Sequence, residues 1–159
     1  MADAMVPLAT TTLSTTASTV LFGIFPSTYR DLRIVVSFAA TTDGNLGIYV
    51  NGDTASNYSQ VNMRGYATSS IASSTSTGGA INSNYNTGSG TGWVTNTFDL
   101  LDYSQTNKHK TILIRANHAG EIDAIVGRWA STSAITSIVL TSGNTFAVGS
   151  TFSLYGIVG

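Results

Sequence analysis

WASTSAITSIVLTSGNTFAVGSTFSLYGI, residues 129–157, is the segment that decides the predicted fold. Its two runs rich in β-branched and aromatic residues, 135–140 and 151–157, flank a Gly143-Asn144 turn and a bend at Gly149. Runs of this kind bounded by glycine and asparagine are typical of antiparallel strands. The pattern predicts that the chain ends by closing a β-sheet, and the segment contains no catalytic motif.

Outward from that segment, the clearest alternation lies at residues 32–39. Every second position there is apolar: Leu32, Ile34, Val36 and Phe38. A period of two predicts a strand with one buried face, as in the centre of a sandwich. Short apolar runs recur along the chain, without a convincing helix or a fixed repeat. We therefore predict roughly eight to nine strands in an all-β fold, an antiparallel two-sheet β-sandwich that is jelly-roll-like.

Two local signals refine this prediction. The apolar run at 20–25 is expected to be a strand that Pro26 stops. Asn51-Gly52-Asp53 lies between the predicted strands 46–50 and 58–63, and asparagine and glycine tolerate the positive φ of a type I′ turn. We expect a hairpin at this turn.

The composition limits the functional classes. Of 159 residues only 7 are Lys or Arg and 8 are Asp or Glu, and the formal net charge is −1. Charged residues make up 9% of the chain, far below the average of about 25% in soluble domains. Side-chain hydroxyls and amides must therefore form most of the surface's hydrogen bonds with water. Neighbouring subunits can cover such a surface at little desolvation cost, whereas nucleic acid would need a basic patch. Cysteine is absent, which excludes disulfides and thiolate metal sites.

The chain is expected to form one domain at 20–159, preceded by an N-terminal polar arm at 1–19. Within the arm, residues 9–19 are nearly all Thr, Ser and Ala, which predicts either an extended arm or a polar edge strand. Residues 67–91 are rich in Ser, Thr, Gly and Asn and are expected to form a flexible loop, either a gripping loop or a tolerated surface insertion. The candidate interface residues are Thr12, Thr15, Ile71, Ile81, Tyr85 and Trp93.

Glu121 and Asp123 are two residues apart and share one face of a predicted strand, a spacing that acid–base catalysis or a hard cation could use. The competing interpretation is a solvated outer face, with the alternate residues Ile122, Ala124 and Val126 buried. His118 and His109 lack further ligands at metal spacing. We expect no catalytic residues, no metal and no cofactor.

The aromatic residues allow two interpretations. They could form stacking platforms for sugars, or they could belong to the core or an interface, as tryptophans in β-sandwiches often do. The residues concerned are Trp93, Trp129, Tyr85 and Tyr103.

Several segments carry a resemblance. They are IFPSTYRDL at 24–32, VNGD at 50–53 with NYS at 57–59, GRW at 127–129, ITSI at 135–138 and FAVGSTFSLYGI at 146–157. Together they resemble small virion structural proteins of tailed bacteriophages, cyanophages among them. The resemblance covers most of the chain from Ile24 onward, but not residues 67–91. It implies a capsid cement or decoration protein, or a tail or fibre component, commonly a β-sandwich that assembles as a homotrimer.

The leading expectation is a non-enzymatic capsid decoration protein that stabilises the shell as a homotrimer. Its partners would be itself and the major capsid protein, with no nucleic acid and no membrane. It would be made in the host cytoplasm, since the first residues lack a secretory signal, and would lie on the outer capsid surface. The alternatives are a tail or fibre component that binds host-surface glycans, and a hydrolase that uses Glu121 and Asp123.

Overall fold

The computed structural model describes residues 4–40, 44–66, 71–83, 92–118 and 121–159. Twelve strands occur in this part of the chain. They are β1 (Met5–Thr12), β2 (Ala17–Gly23), β3 (Asp31–Phe38), β4 (Leu46–Val50), β5 (Tyr58–Tyr66), β6 (Ile71–Gly78), β7 (Ile81–Asn82), β8 (Val94–Leu101), β9 (Lys110–His118), β10 (Glu121–Trp129), β11 (Ser137–Phe146) and β12 (Thr151–Ile157). None of the described residues forms a helix that is long and apolar enough to cross a membrane.

The strands form two antiparallel sheets that pack face to face. The eight-stranded sheet has the order β1-β12-β3-β8-β9-β10-β5-β6, and the four-stranded sheet has the order β2-β11-β4-β7. This arrangement confirms the predicted all-β, two-sheet β-sandwich. One apolar cluster fills the space between the sheets, and its buried members in the described part of the chain run from Val20 to Leu154.

Strand β3 shows why the alternating pattern produces this fold. Leu32, Ile34, Val36 and Phe38 are all 0% exposed, whereas the residues between them face away from the core. Because successive side chains of a strand point to opposite faces, one strand supplies a full row of core contacts. The four-stranded sheet covers that row with its own buried side chains, among them Phe22.

The C-terminal segment crosses between the sheets instead of closing one sheet. Strand β11 pairs with β2 and β4 in the small sheet, and β12 pairs with β1 and β3 in the large sheet. The predicted turn at Gly143-Asn144 is wrong, because both residues lie within β11, where the register to β2 shifts. Gly143 N donates to Asn45 O at 3.0 Å, which holds this irregular stretch in place. The bend at Gly149 is confirmed by its φ of 88°.

The Asn51-Gly52 turn has the expected backbone but a different role. Both residues have positive φ, 54° and 68°, and Asp53 N donates to Val50 O at 2.9 Å. The flanking strands nevertheless lie in different sheets, so the predicted hairpin is wrong. The turn is a corner, because the Tyr58 hydroxyl accepts a hydrogen bond from Val50 N at 3.0 Å and ties the start of β5 to the end of β4.

Two polar segments are more ordered than predicted. Within the arm predicted at 1–19, β1 is an edge strand paired with β12, and Leu8 packs against the core. The polar edge strand is therefore the alternative that the described residues adopt. Within the loop predicted at 67–91, β6 pairs with β5 along its length and β7 pairs with β4. Backbone hydrogen bonds organise these segments although few of their side chains are apolar. Residues 67–70 and 84–91 lie outside the described residues.

The strand predicted at 20–25 begins and ends earlier than expected. Strand β2 ends at Gly23, and Ile24 has a φ of 40°. A residue in the left-handed region cannot continue a strand. Pro26 therefore does not end β2, which stops before it.

Candidate interaction surface

Strand β10 faces the opposite way from the sequence prediction. Asp123 is 1% exposed, whereas Ile122 is 70% exposed and Val126 is 51% exposed. The expectation that the carboxylates lie on the solvated face and the alternate apolar residues are buried is therefore wrong. A strand has only two faces, so this orientation turns a row of apolar side chains outward.

The residues opposite to that row explain the orientation. Ile125 and Trp129 are buried on the same face as Asp123. Gly127 lies between them, and a Cβ atom added there would come within 2.3 Å of Ile81 Cδ1. The face of β10 that carries Trp129 and Gly127 therefore packs into the core, and the face with the smaller aliphatic side chains is exposed to solvent.

The inward carboxylate is held by an ion pair. Arg64 of β5 binds Asp123 through two hydrogen bonds, Nε to Oδ1 at 2.8 Å and Nη2 to Oδ2 at 3.3 Å. Glu121 Oε2 lies 3.5 Å from the same Arg64 Nε. A buried carboxylate needs such a partner, because desolvation of an unpaired charge is costly. Both carboxylates considered for catalysis thus contact one guanidinium that belongs to the sandwich itself.

The outward row of β10 joins a second row on β5. Val126 pairs with Val61 and Ala124 pairs with Met63 in the antiparallel register. Val61 is 49% exposed and Met63 is 58% exposed. We call Val61, Met63, Ile122, Ala124 and Val126 the β5–β10 surface. It exposes roughly 400 Å² of apolar area, within the size range of the largest patch on a typical monomer.

The surroundings of the β5–β10 surface are mostly neutral. Along β6, exposed Ser73 and Thr75 lie opposite Met63 and Val61. A groove of about 520 Å³ runs beside the surface. Its lining is Ser59, Gln60, Val61, Thr75, Ser76, Thr77, Thr111, Val126, Gly127 and Arg128. Arg128 is the one charged residue in that lining, so hydroxyls and aliphatic groups dominate the region.

Farther along the same sheet face, one carboxylate pairs with two guanidinium groups. Asp99 accepts from Arg33 at 2.6 and 3.1 Å and from Arg115 at 3.1 Å. The hydrogen bond to Asp99 raises the pKa of Arg33 above its ordinary value. The side chains of Arg33, Asp99 and Arg115 are therefore hydrogen-bonded to one another on the surface of the sheet.

Lys108 and Lys110, the densest basic cluster of the sequence, do not form a basic patch on the surface. Lys110 is 0% exposed, and its Nζ donates to Lys108 O at 2.9 Å and to Thr132 O at 3.2 Å. Burial lowers the pKa of Lys110. Lys108 pairs with Asp102 at 2.8 Å.

A second apolar surface lies at the open edge of the four-stranded sheet. Leu21 is 64% exposed and points away from the core, opposite Val139. Ile24, just beyond the end of β2, is 101% exposed. We call Leu21 and Ile24 the Leu21–Ile24 ridge. A β-branched residue with positive φ is rare, because its side chain crowds the backbone in that region.

The predicted interface residues do not form one site. Ile81 is 0% exposed and packs in the core, so its prediction as an interface residue is wrong. Thr12 and Thr15 are exposed near the end of β1. Trp93 is 56% exposed and lies beside Gly149, whose N donates to Leu13 O, so Thr12 and Trp93 lie at the same end of the sandwich.

The remaining two predicted interface positions are not described at the side-chain level. Ile71 is the first residue of β6, and Tyr85 lies outside the described residues.

The proposed aromatic platforms are largely buried. Trp129 is 3% exposed, stacks on Tyr58 with ring centroids 6.5 Å apart, and donates from Nε1 to Asp53 Oδ2 at 2.7 Å. This hydrogen bond lowers the pKa of Asp53. Tyr103 is 1% exposed, and its hydroxyl donates to Pro26 O. Both residues belong to the core, so Trp93 is the described aromatic of that set that faces solvent.

Sequence reasoning missed the β5–β10 surface, although a signal for it exists. Residues 60–64 read QVNMR, in which amide and charged side chains alternate with aliphatic ones. In both β5 and β10, polar residues alternate with aliphatic ones. The polar residues can face the core only if their side chains form hydrogen bonds or ion pairs with one another. Gln60, Asn62 and Arg64 do so, since Gln60 Nε2 donates to Asn62 Oδ1 at 2.8 Å and Arg64 binds Asp123.

No protein-family model matches the chain, and no curated protein matches it. Among solved structures, the chain is similar to the crystal structure of the marine PL-14 alginate lyase from Aplysia kurodai. The identity is 11%, the match covers 84% of this chain and 70% of that chain, and the TM-score is 0.28. A TM-score of this size is too low to bear on fold or activity. No group of three His, Cys, Asp or Glu side chains able to hold a metal ion occurs in the part of the chain that the structure describes.

Proposed function

We propose that this chain is a non-enzymatic structural protein of a phage virion, a decoration protein that binds the outside of the capsid as a homotrimer. The observation that supports an assembly role is the β5–β10 surface, on which Ile122 is 70% exposed. The virion setting comes from the sequence resemblance, above all from the segment at 146–157.

The size of the β5–β10 surface suits a binding function. At about 25 cal/mol per Å², burial of roughly 400 Å² contributes about 10 kcal/mol before any cost is subtracted. Association costs about 4–15 kcal/mol in lost translational and rotational freedom. The apolar surface therefore roughly offsets this cost, and the hydroxyl-rich rim along β6 must supply the remaining contacts.

The low charge of the chain supports the same role. With 7 basic and 8 acidic residues in 159, few charged groups have to lose their water when a partner covers the surface. Serine and threonine hydroxyls act as both donors and acceptors, so they can pair with a neutral capsid surface without matched charges.

The test is cosedimentation of the purified chain with empty capsids of the source phage. We expect the unmodified chain to sediment with the capsids, and the double variant Ile122→Lys with Val126→Lys to stay in the supernatant. Thr106→Lys with Asn107→Lys is the matched control, because it adds two lysines at exposed positions in the connection between β8 and β9. If the unmodified chain does not bind capsids, the proposed function is wrong.

A tail or fibre component that binds host-surface glycans is the second candidate. The groove of about 520 Å³ favours it, because its hydroxyls could bind sugar hydroxyls and Arg128 could bind an acidic group. Exposed Trp93 is not in the lining of that groove and offers a separate stacking face. On this hypothesis Arg128→Gln abolishes glycan binding in the groove, or Trp93→Ala abolishes binding at the separate stacking face, while the fold persists. Trp129→Ala instead destabilises the fold by roughly 3–5 kcal/mol, the usual cost of losing a buried tryptophan.

A further inference from the structure

The core of the sandwich contains an amide side chain that makes no hydrogen bond in the described part of the chain. Asn96 of β8 is 0% exposed, and neither its Nδ2 nor its Oδ1 atom has a partner there. An amide that is removed from water without a hydrogen bond costs a large share of the net stability of a domain. A buried amide of this kind therefore indicates a bound group that donates and accepts hydrogen bonds.

Strand pairing places Asn96 in a row of side chains across the inner face of the eight-stranded sheet. Val36 pairs with Asn96 on one side. On the other side, the register of β8 with β9, continued by one residue, places Ala116 opposite Asn96, and Ala116 pairs with Asp123. Asp123 in turn pairs with Arg64. The smallest side chain of this row thus lies between the amide and the buried carboxylate.

The spacing of the strands fits a short chain of water molecules over Ala116. Neighbouring strands lie about 4.8 Å apart, so the backbones at Asn96 and Asp123 are separated by roughly 9.6 Å. Three hydrogen bonds of about 2.8 Å span roughly 8.4 Å, which corresponds to about two waters between the two side chains. Asp123 can accept such a contact, because a carboxylate has about four acceptor sites and two of them take the hydrogen bonds from Arg64.

We infer that Asn96 binds buried water on the inner face of the eight-stranded sheet, and that this water extends over Ala116 to Asp123. Water suits the amide, because one molecule can donate to Oδ1 and another can accept from Nδ2. Arg64 and Asp123 form an ion pair at 2.8 Å, so the row offers no uncompensated charge to a bound ion. A chain of 159 residues holds on the order of six buried waters, so about two at this site are an ordinary number.

A serine on the opposite sheet supports a hydrated interior. Ser83 is fully buried, and its Oγ atom also lacks a hydrogen-bond partner among the described residues. The preceding residue, Asn82, is held by the Gln60 side chain, which donates to Asn82 O at 2.9 Å and accepts from Asn82 N at 2.7 Å. Ser83 therefore lies next to the inner face of β5, the strand that carries Arg64. Water on this face would also provide a partner for the serine hydroxyl.

The test is water–protein NMR on the unmodified, isotope-labelled chain. We expect cross-peaks between water and the side-chain amide protons of Asn96, with opposite signs in NOESY and ROESY spectra, as for a water that is held inside a protein. The internal control is the buried amide of Gln60, whose Nε2 donates to Asn62 Oδ1 at 2.8 Å and to Asn82 O at 2.9 Å. Because both of its N–H groups have protein partners, we expect no water cross-peak from Gln60.

Two variants exclude other sources of the signal. Ser83→Ala removes a nearby hydroxyl whose exchanging proton could relay magnetisation, and the Asn96 cross-peaks should persist in it. Asn96→Leu replaces the amide by an apolar side chain of similar size, and oxygen relaxation dispersion should then count about one or two fewer internal waters. Thr97→Val, a change at the neighbouring position on the outer face of β8, is the matched control and should leave the count unchanged. The NMR test needs no variant, so it remains decisive if Asn96→Leu does not fold.

Three results overturn the inference. They are the absence of water cross-peaks at Asn96 in the unmodified chain, cross-peaks that disappear in Ser83→Ala, and an unchanged number of internal waters in folded Asn96→Leu. The site does not depend on the proposed function, because Asn96 faces the core whereas the β5–β10 surface faces solvent. Folded Asn96→Leu should therefore sediment with capsids like the unmodified chain, and loss of capsid binding by both chains would refute only the decoration role.

Discussion

Replacement of Asp123 by alanine tests why β10 exposes its aliphatic residues. The Asp123 side chain is 0% exposed and accepts two hydrogen bonds from Arg64, whose side chain is 21% exposed. Loss of one partner from a buried pair typically costs about 3–5 kcal/mol, because the other charge stays desolvated. Arg64 keeps Glu121 at 3.5 Å, so we expect the lower end of that range, about 3 kcal/mol.

The expected change is large enough for a simple assay. For a domain of this size, about 3 kcal/mol lowers the melting temperature by roughly 6–12 °C. Urea unfolding measures the free energy directly, and fluorescence of buried Trp129 reports the transition. The slope of the urea dependence should stay constant if Asp123→Ala changes stability alone.

Two control variants show whether the ion pair is the cause. Glu121→Ala removes the more distant and more exposed carboxylate, so it should cost less than about 1 kcal/mol. The double variant Arg64→Met with Asp123→Leu replaces the whole pair by apolar groups and should recover most of the lost stability. A loss below about 1 kcal/mol for Asp123→Ala would refute the argument that this ion pair is needed to hold the inward face of β10.

Three further predictions follow from single positions. Gly127→Ala should destabilise the fold by roughly 1–3 kcal/mol in urea unfolding, because its Cβ would lie 2.3 Å from Ile81 Cδ1. Adding Ile81→Val to this variant should restore part of the lost stability. An unchanged urea midpoint for Gly127→Ala would contradict the close contact. Burial raises the pKa of Tyr58 to about 12. The contribution of Tyr58 to the free energy of unfolding is therefore fully present below pH 10 and falls by roughly 3 kcal/mol in total as the pH rises through 12. Urea midpoints measured between pH 8 and pH 11.5 should show this loss, and Tyr58→Phe should abolish it. Ile24→Asn should raise the melting temperature, because asparagine tolerates a φ of 40° at roughly 1 kcal/mol less strain. A lower melting temperature would show that the Ile24 backbone is not strained.

Where a strand has one apolar face, its orientation follows from local alternation. In β3, each of Leu32, Ile34, Val36 and Phe38 is buried, and only one orientation places them all inside. The same logic does not determine the orientation of β10, because Ile122 and Val126 compete with Ile125 and Trp129 for the core. Both faces of that strand are partly apolar, so the choice between them depends on its neighbours.

The sequence by itself determined that this chain is an all-β sandwich, and that the backbone turns at Asn51-Gly52 and bends at Gly149, because alternation and positive φ are properties of a few consecutive residues. Only the tertiary structure decided that β4 and β5 lie in different sheets, that Ser- and Thr-rich β6 is paired, and that the β5–β10 surface faces outward. The outward orientation of the β5–β10 surface depends on Arg64 contacting Asp123 and on Gly127 packing against Ile81, contacts between residues far apart in the chain. Periodicity within a strand assigns its two faces, but long-range packing selects which face enters the core.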